Sequence, residues 1–170
     1  LIAFNNAKGI FSDKRMREAV AIAIDKEEIA LGATNGYATP TEAGITPLCP
    51  QAPKDFKGLE RDVERAKQLV AEAGYPNGVD ITMRIIGASN YTKPAEVVQA
   101  QLKEIGINLS IEPMERASWF DLCYTGGDYE ISIYANAVQV LDADFGAYPF
   151  LHSSELNGGN NYMAINNPEL

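Results

Sequence analysis

Two short segments carry the side chains best suited to holding a ligand. Gly87-Ala88-Ser89-Asn90-Tyr91 and Asn136-Ala137-Val138-Gln139 offer a hydroxyl, several amides and one aromatic face. Ser89, Asn90, Tyr91, Asn136, Ala137 and Gln139 are the candidate binding residues, because neutral donors and acceptors suit the capture of a small polar molecule. Each segment follows a predicted strand, and in open α/β sheets the crevice beyond the carboxyl ends of the strands is the usual ligand position. Ser and Asn also favour turns, so plain turn chemistry stands beside that reading.

Groups for bond breaking are sparse. His152 is the only histidine, so any Ser-His-Asp or Cys-His arrangement must use it. It lies beside Phe150 and Leu151, where a helix-end or packing role is expected. No Cys/His pair has zinc spacing and no glycine-rich phosphate loop occurs, so no catalytic residue, metal or cofactor is expected. Asp142-Ala143-Asp144 resembles the start of a calcium loop, but Gly146 falls one place early and Ser153 stands where a bidentate Glu is needed. Cys49 and Cys123 could pair in an oxidising compartment, while a buried free thiol is the commoner outcome for Cys123 in its apolar stretch.

Bulk composition narrows the partners. The 170 residues hold 46% hydrophobic and 22% charged side chains, which is ordinary globular material of one domain's size. Lys and Arg total 14 against 23 Asp and Glu, a net charge of -9, so nucleic acid is not an expected partner. No apolar run approaches the ~20 residues that span a bilayer, so this segment is not expected to insert in a membrane.

Strand and helix signals alternate, the pattern of an α/β domain. Leu1 to Asn5 reads as a strand, and Ser12 or Asp13 caps a helix with Met16, Ala19, Val20, Ala23 and Ile24 on one face, reaching Ile29. Gly and Pro punctuate residues 32 to 58, predicting a long irregular loop. A helix from Asp62 buries Val63, Ala66, Leu69, Val70 and Ala73, stops at Gly74 and Pro76, and turns at Asn77-Gly78 into an alternating strand through Ile85. Its charged residues Glu60, Arg61, Asp62, Glu64, Arg65 and Lys67 read as an exposed face. Thr92 is expected to cap the next helix with Pro94 in its first turn, and Ala95, Val98, Leu102 and Ile105 form its stripe. Gly106 ends it. Ile107, Leu109 and Ile111 make a strand closed by Pro113. A short helix around Trp119, Phe120 and Cys123, a strand from Tyr129 to Ala135, a last short helix within 142 to 151 and an Asn/Gly-rich tail complete the pattern.

Several of these segments, in order, resemble one family. Asp13-Lys14-Arg15-Met16-Arg17-Glu18-Ala19 with Ala23-Ile24-Asp25-Lys26-Glu27-Glu28-Ile29, the run Ala66 to Gly78, Glu96 to Ile107, Asp128-Tyr129-Glu130-Ile131 and Asn166 to Leu170 are similar to motifs of the extracytoplasmic solute-binding proteins of the peptide and nickel transporter family.

The resemblance implies one lobe of a type II periplasmic-binding-protein fold, a mixed sheet flanked by helices. It further implies two lobes closing on a ligand and delivering it to the permease subunits of an ABC transporter, outside the cytoplasm. Residues 1 to 170 would form most of the second lobe, cut from a larger protein, with the first lobe of the same protein as partner. The family's ammonium-binding Asp has Gln139 at the approximately aligned position, and a nearby Trp is replaced at about Asn136, so free-amine dipeptides fit less well. Where peptide-binding members can carry a carboxylate-binding Arg, this chain has Ser89, Asn90, Tyr91 and Lys93. The expected ligand is a peptide or similar small polar solute. A nickel, metallophore or oligosaccharide ligand, and an α/β hydrolase, are the alternatives.

Overall fold

The computed structural model describes residues 1–41, 45–135, 142–156 and 159–167. Its order is β1 (Ile2–Phe4), α1 (Lys14–Ala23), α2 (Lys26–Thr34), α3 (Val63–Glu72), β2 (Val79–Ile86), α4 (Ser89–Glu104), β3 (Ile107–Met114), α5 (Arg116–Trp119), β4 (Ile131–Ile133), α6 (Ala143–Gly146) and α7 (Tyr148–Leu151). The strands form one mixed sheet in the order β1-β4-β2-β3. β1 runs antiparallel to β4, whereas β2 is parallel to both β4 and β3.

Alternation along the strands separates two faces. Ile81, Met83 and Ile85 are buried on the face where α4 packs against β2 and β3. Asp80 and Arg84 occupy the other face, where Asn108 Nδ2 donates to Asp80 (2.8 Å) and Arg84 pairs with Glu112 (3.0 Å). α1 packs on α3, and α2 on α4. Met16, Ala19, Val20, Leu69, Val98 and Leu102 fill the resulting core, the larger of these side chains each contributing roughly 1.5–3 kcal/mol.

Local chemistry accounts for most boundaries. Asp13 caps α1 by accepting from the Arg15 N–H (2.8 Å), and Asp62 caps α3 through the Arg65 N–H (2.9 Å). The charged run before α3 is therefore more than a solvated face: the Asp62 N–H reaches Ile22 O (2.8 Å) and Arg61 Nε reaches Ala23 O (3.1 Å), joining α3 to the end of α1. Gly78, at φ 84°, lies so near Gly106 that a Cβ there would meet the Gly106 carbonyl at 2.6 Å.

Several expectations are corrected. The helix expected to reach Ile29 breaks at Ile24 and Asp25, and Asp25 caps a second helix through the Glu28 N–H (3.0 Å). That second helix, α2, extends to Thr34, into the stretch expected to be loop from residue 32. Thr92 is not a cap: α4 starts at Ser89 after extended Ala88, and Pro94 lies inside it. This earlier start carries Tyr91 into the core, where it is 3% exposed.

β3 also continues through Pro113 to Met114. The Val79 N–H reaches Gly106 O and the Gly87 N–H reaches Met114 O, so the alternating ladder turns Pro113's nitrogen away from β2. At the sheet edge a missing donor is tolerated. Gln99 Nε2 serves the same edge, donating to Leu109 O at 2.6 Å.

After α5 the chain widens into a π-helical turn over Phe120–Thr125, with the Gly126 N–H bonded to Asp121 O. The regular part of β4 is Ile131–Ile133, shorter than expected, and 142 to 151 splits into α6 and α7. Both cysteines are free and buried.

Candidate ligand-binding site

At the carboxyl end of β2 the Gly87 N–H bonds Met114 O at 2.8 Å, and α4 begins two residues later. Asn90 and Tyr91 from this first turn line a cavity of about 1020 Å³. Ser89 is exposed and does not line it. Pro94 lies on the same wall, and having no N–H it leaves the Asn90 carbonyl without its ladder donor. Asn136, Ala137 and Gln139 lie outside the described residues, but Tyr134 and Ala135, just before them, line the same cavity. Residues at the carboxyl ends of β2 and β4 therefore border the same cavity.

The wall extends well beyond those loops. Val20 from α1, Ile24 just after it, Ile29 and Ala33 from α2, and Pro40, Ile45 and Phe56 from the irregular stretch all line it. Phe150, Leu151, Tyr162 and Met163 line it too. The lining is predominantly apolar, more so than neutral turn residues suggested.

An aromatic cluster joins this wall to the interior. Trp119 is fully buried and its indole N–H is shared between Arg84 O and Ser132 Oγ, both at 3.2 Å. Tyr134 stacks on Trp119 with ring centroids 5.3 Å apart and planes 6° from parallel. Tyr162 packs against Tyr124 at 4.9 Å and edge-on to Tyr134 at 5.8 Å. Burial raises the Tyr134 phenol, with Tyr91 adding to the rise and Arg116 opposing it. The Tyr162 phenol is raised too, first by burial and then by Tyr134 and Tyr124. These hydroxyls stay neutral at physiological pH.

Tyr134 and Tyr162 were absent from the sequence-based candidates. Tyr134 could have been found as the aromatic residue two places beyond Ser132, and Tyr162-Met163 as an apolar pair inside a polar tail. Neither signal says that the tail folds back to this sheet. That return is held by the Tyr129 hydroxyl, which donates to Tyr162 O at 3.0 Å, and by Asn6, whose backbone N–H and Nδ2 donate to Met163 O at 2.9 and 2.8 Å.

Other polar groups serve local structure. His152 Nδ1 accepts the Ser154 N–H (3.1 Å), lies 2.8 Å from Ser154 Oγ, and its ring stacks on Tyr148 at 4.4 Å. This is the helix-end role expected for it. Asp142 accepts from the Asp144 N–H (2.8 Å) and from Gln51 Nε2 (3.2 Å). No group of three His, Cys, Asp or Glu among the described residues could hold a metal ion. On the opposite sheet face Lys8, Thr82, Arg84, Asp128 and Glu130 border a smaller space of about 270 Å³. Arg84 is engaged there by Glu112, Asp128 Oδ2 (2.9 Å) and Asp128 O (2.7 Å).

Comparison with known proteins agrees with this architecture. The family model "Bacterial extracellular solute-binding proteins, family 5 Middle" matches residues 1–158. Heme-binding protein A of Haemophilus influenzae is 31% identical over 99% of this chain and 31% of its own length. The oligopeptide-binding protein AppA of Bacillus subtilis is 28% identical over 99% of this chain and 33% of its own length. Its structure with a nonapeptide superposes with a TM-score of 0.82 at 27% identity, covering 99% of this chain and 36% of that one. The periplasmic binding protein DppA of Helicobacter pylori, solved with the peptide STSA, shares the fold with a TM-score of 0.89 at 24% identity, over 99% of this chain and 33% of that one. The chain thus spans about a third of the length of these relatives, and all three are binding proteins by name. No helix among the described residues is long and apolar enough to cross a membrane.

Proposed function

We propose that this chain, which belongs to the bacterial extracellular solute-binding proteins of family 5, is most of the second lobe of a receptor that captures a peptide or similar small solute for an ABC importer. The observation that carries this reading is the cavity of about 1020 Å³ on which the ends of β2 and β4 converge. One such wall holds a solute only weakly; a second lobe facing it would complete the enclosure. The solute favours the closed state by contacting both walls, and hinge closure follows from that differential affinity. The permease subunits are the partner that receives the closed receptor, outside the cytoplasm, and no catalytic step is assigned.

Asn90 and Tyr91 would meet the solute from the α4 side and Asn136, Ala137 and Gln139 from the β4 side, with Ser89 at the rim. Tyr91 is buried, so Tyr91→Phe is a cleaner probe than Tyr91→Ala.

The test is to purify the full-length receptor, identify the solute it carries by mass spectrometry, and titrate that solute calorimetrically into wild type, Asn90→Ala and Gln139→Ala. Weakened binding in both variants with unchanged melting supports the site. Unchanged affinity in both would sink it, and a receptor that neither carries nor binds peptides would overturn the cargo class.

A further inference from the structure

Five of the arginines are engaged within the fold: Arg15, Arg65 and Arg84 pair with carboxylates, Arg61 reaches Ala23 O and Glu104, and Arg17 donates to the Phe11 and Ser12 carbonyls. The sixth, Arg116, is exposed and makes no hydrogen bond or ion pair among the described residues. It opens α5, two residues past the end of β3, where the Gly87 N–H ties the end of β2 to Met114 O. Its neighbour Glu115 is turned to the backbone instead, Oε2 accepting the N–H groups of Ala117 and Ser118 at 2.7 and 3.1 Å.

Trp119 lies one turn further along α5, on the same helix face as Arg116, and its ring stacks on Tyr134. α5 therefore sets Arg116 beside Tyr134, the residue that follows β4 and lines the cavity. The electrostatics agree: burial raises the Tyr134 phenol, Tyr91 adds to the rise, and the Arg116 guanidinium opposes both. Tyr124 donates to Asn160 Oδ1 and Tyr129 to Tyr162 O, whereas the Tyr134 hydroxyl has no hydrogen-bond partner among the described residues. Nor is it sealed. Tyr134 is half-buried, and the unpartnered oxygen closed to solvent is that of Tyr162.

A guanidinium fork and a neutral phenol side by side present donors to an incoming group, which suits an anion, and a carboxylate is the anion a peptide supplies. The adjoining wall is of another kind. Lys26 and Asp142 are the charged residues that line it, amid side chains such as Pro94, Phe150 and Leu151. We propose that Arg116 and the Tyr134 hydroxyl together bind a carboxylate of the cargo, whose apolar remainder lies along the cavity wall. The proposal rests on the reading of the cavity as a solute site and narrows its cargo to a carboxylate joined to an apolar body.

The test uses the full-length receptor with two probes of the same body, N-acetyl-leucyl-leucine, which ends in a carboxylate, and N-acetyl-leucyl-leucinamide, which ends in a neutral amide. Wild type is expected to bind the acid at least about tenfold more tightly than the amide. Arg116→Gln is expected to weaken the acid by about thirtyfold and to change the amide by less than about threefold, so that the preference collapses. Tyr134→Phe keeps the ring on Trp119 and is expected to weaken the acid by about tenfold. Both variants should melt as wild type does, because Arg116 is exposed and the Tyr134 ring is retained, which assigns the lost affinity to the contact. Equal affinity of wild type for the two probes, or full affinity for the acid in either variant, would overturn the inference. Failure of the wild type to bind either probe would overturn it as well, while the wider receptor reading stands or falls on the solute found in the purified protein.

Discussion

Gln101, on α4, holds Asp25 in place at the start of α2. Its Oε1 accepts the Asp25 N–H at 3.1 Å, and its Nε2 donates to Asp25 O at 3.3 Å and to Glu28 Oε2 at 2.6 Å. The amide replaces the ladder partner that Asp25 would have had in a continuous helix, which is why α1 and α2 separate there.

Gln101→Leu leaves the Asp25 N–H without its partner in a site where Gln101 is only 2% exposed. The expected loss is about 1–3 kcal/mol in urea unfolding. Gln101→Glu should also be destabilising at neutral pH, because its carboxylate would face that of Glu28. A variant as stable as wild type would show that the break is set elsewhere.

Two glycines distinguish backbone strain from collision. Gly74 (φ 105°) has open space where a methyl would stand, whereas Gly78 (φ 84°) has the Gly106 carbonyl 2.6 Å from that position. Gly74→Ala should cost about 1 kcal/mol through its positive φ alone. Gly78→Ala should cost clearly more, since the start of β2 must also move. Equal losses in thermal melts would contradict this ranking.

The Arg15 side chain, followed by the Arg15 N–H, holds the Asp13 carboxyl below its usual pKa. A lowered pKa in the fold gives stability that is fully present above the unfolded value of about 4 and is lost as pH falls through the folded value. Asp13→Asn should therefore melt below wild type at neutral pH, and the gap should close in acid below about pH 4. A gap that persists at the lowest pH would assign the effect to capping geometry instead.

Burial pushes the Cys123 thiol up to about 11, and Cys49 is buried as well. The thiolate is the reactive form. In native receptor at about pH 8, Ellman's reagent should label neither cysteine, and both should react after unfolding. Peptide mapping that finds Cys123 labelled in the native state would refute this.

The connectors were legible in the sequence because their causes are local. The stop at Gly74, the turn at Asn77-Gly78, the stripe Ala95, Val98, Leu102 and Ile105, and the cap at Asp13 all depend on neighbours within a few residues. What escaped depended on distant contacts. The break at Asp25 needs Gln101, and the start of α4 at Ser89 needs a core that accepts Tyr91. The β2 end of the cavity was legible as the carboxyl end of a strand, but its aromatic wall was not, because Tyr162 joins Tyr124, Tyr129 and Tyr134 only once the tail has folded back. Residues 32 to 58 read as a long irregular loop, of the kind that packs on the surface or carries function, and Pro40, Ile45 and Phe56 from it supply part of the cavity wall.

The outer edge of β3 bears on how this protein behaves in a crowd. An edge strand normally offers a row of free donors and acceptors on which another chain can grow. Here the Leu109 carbonyl is already taken by Gln99, and further along the strand Pro113 has no hydrogen to give. An incoming strand would miss a pairing at each of these outward rungs, so β3 is a poor template for sheet-to-sheet aggregation even where many copies share a small compartment.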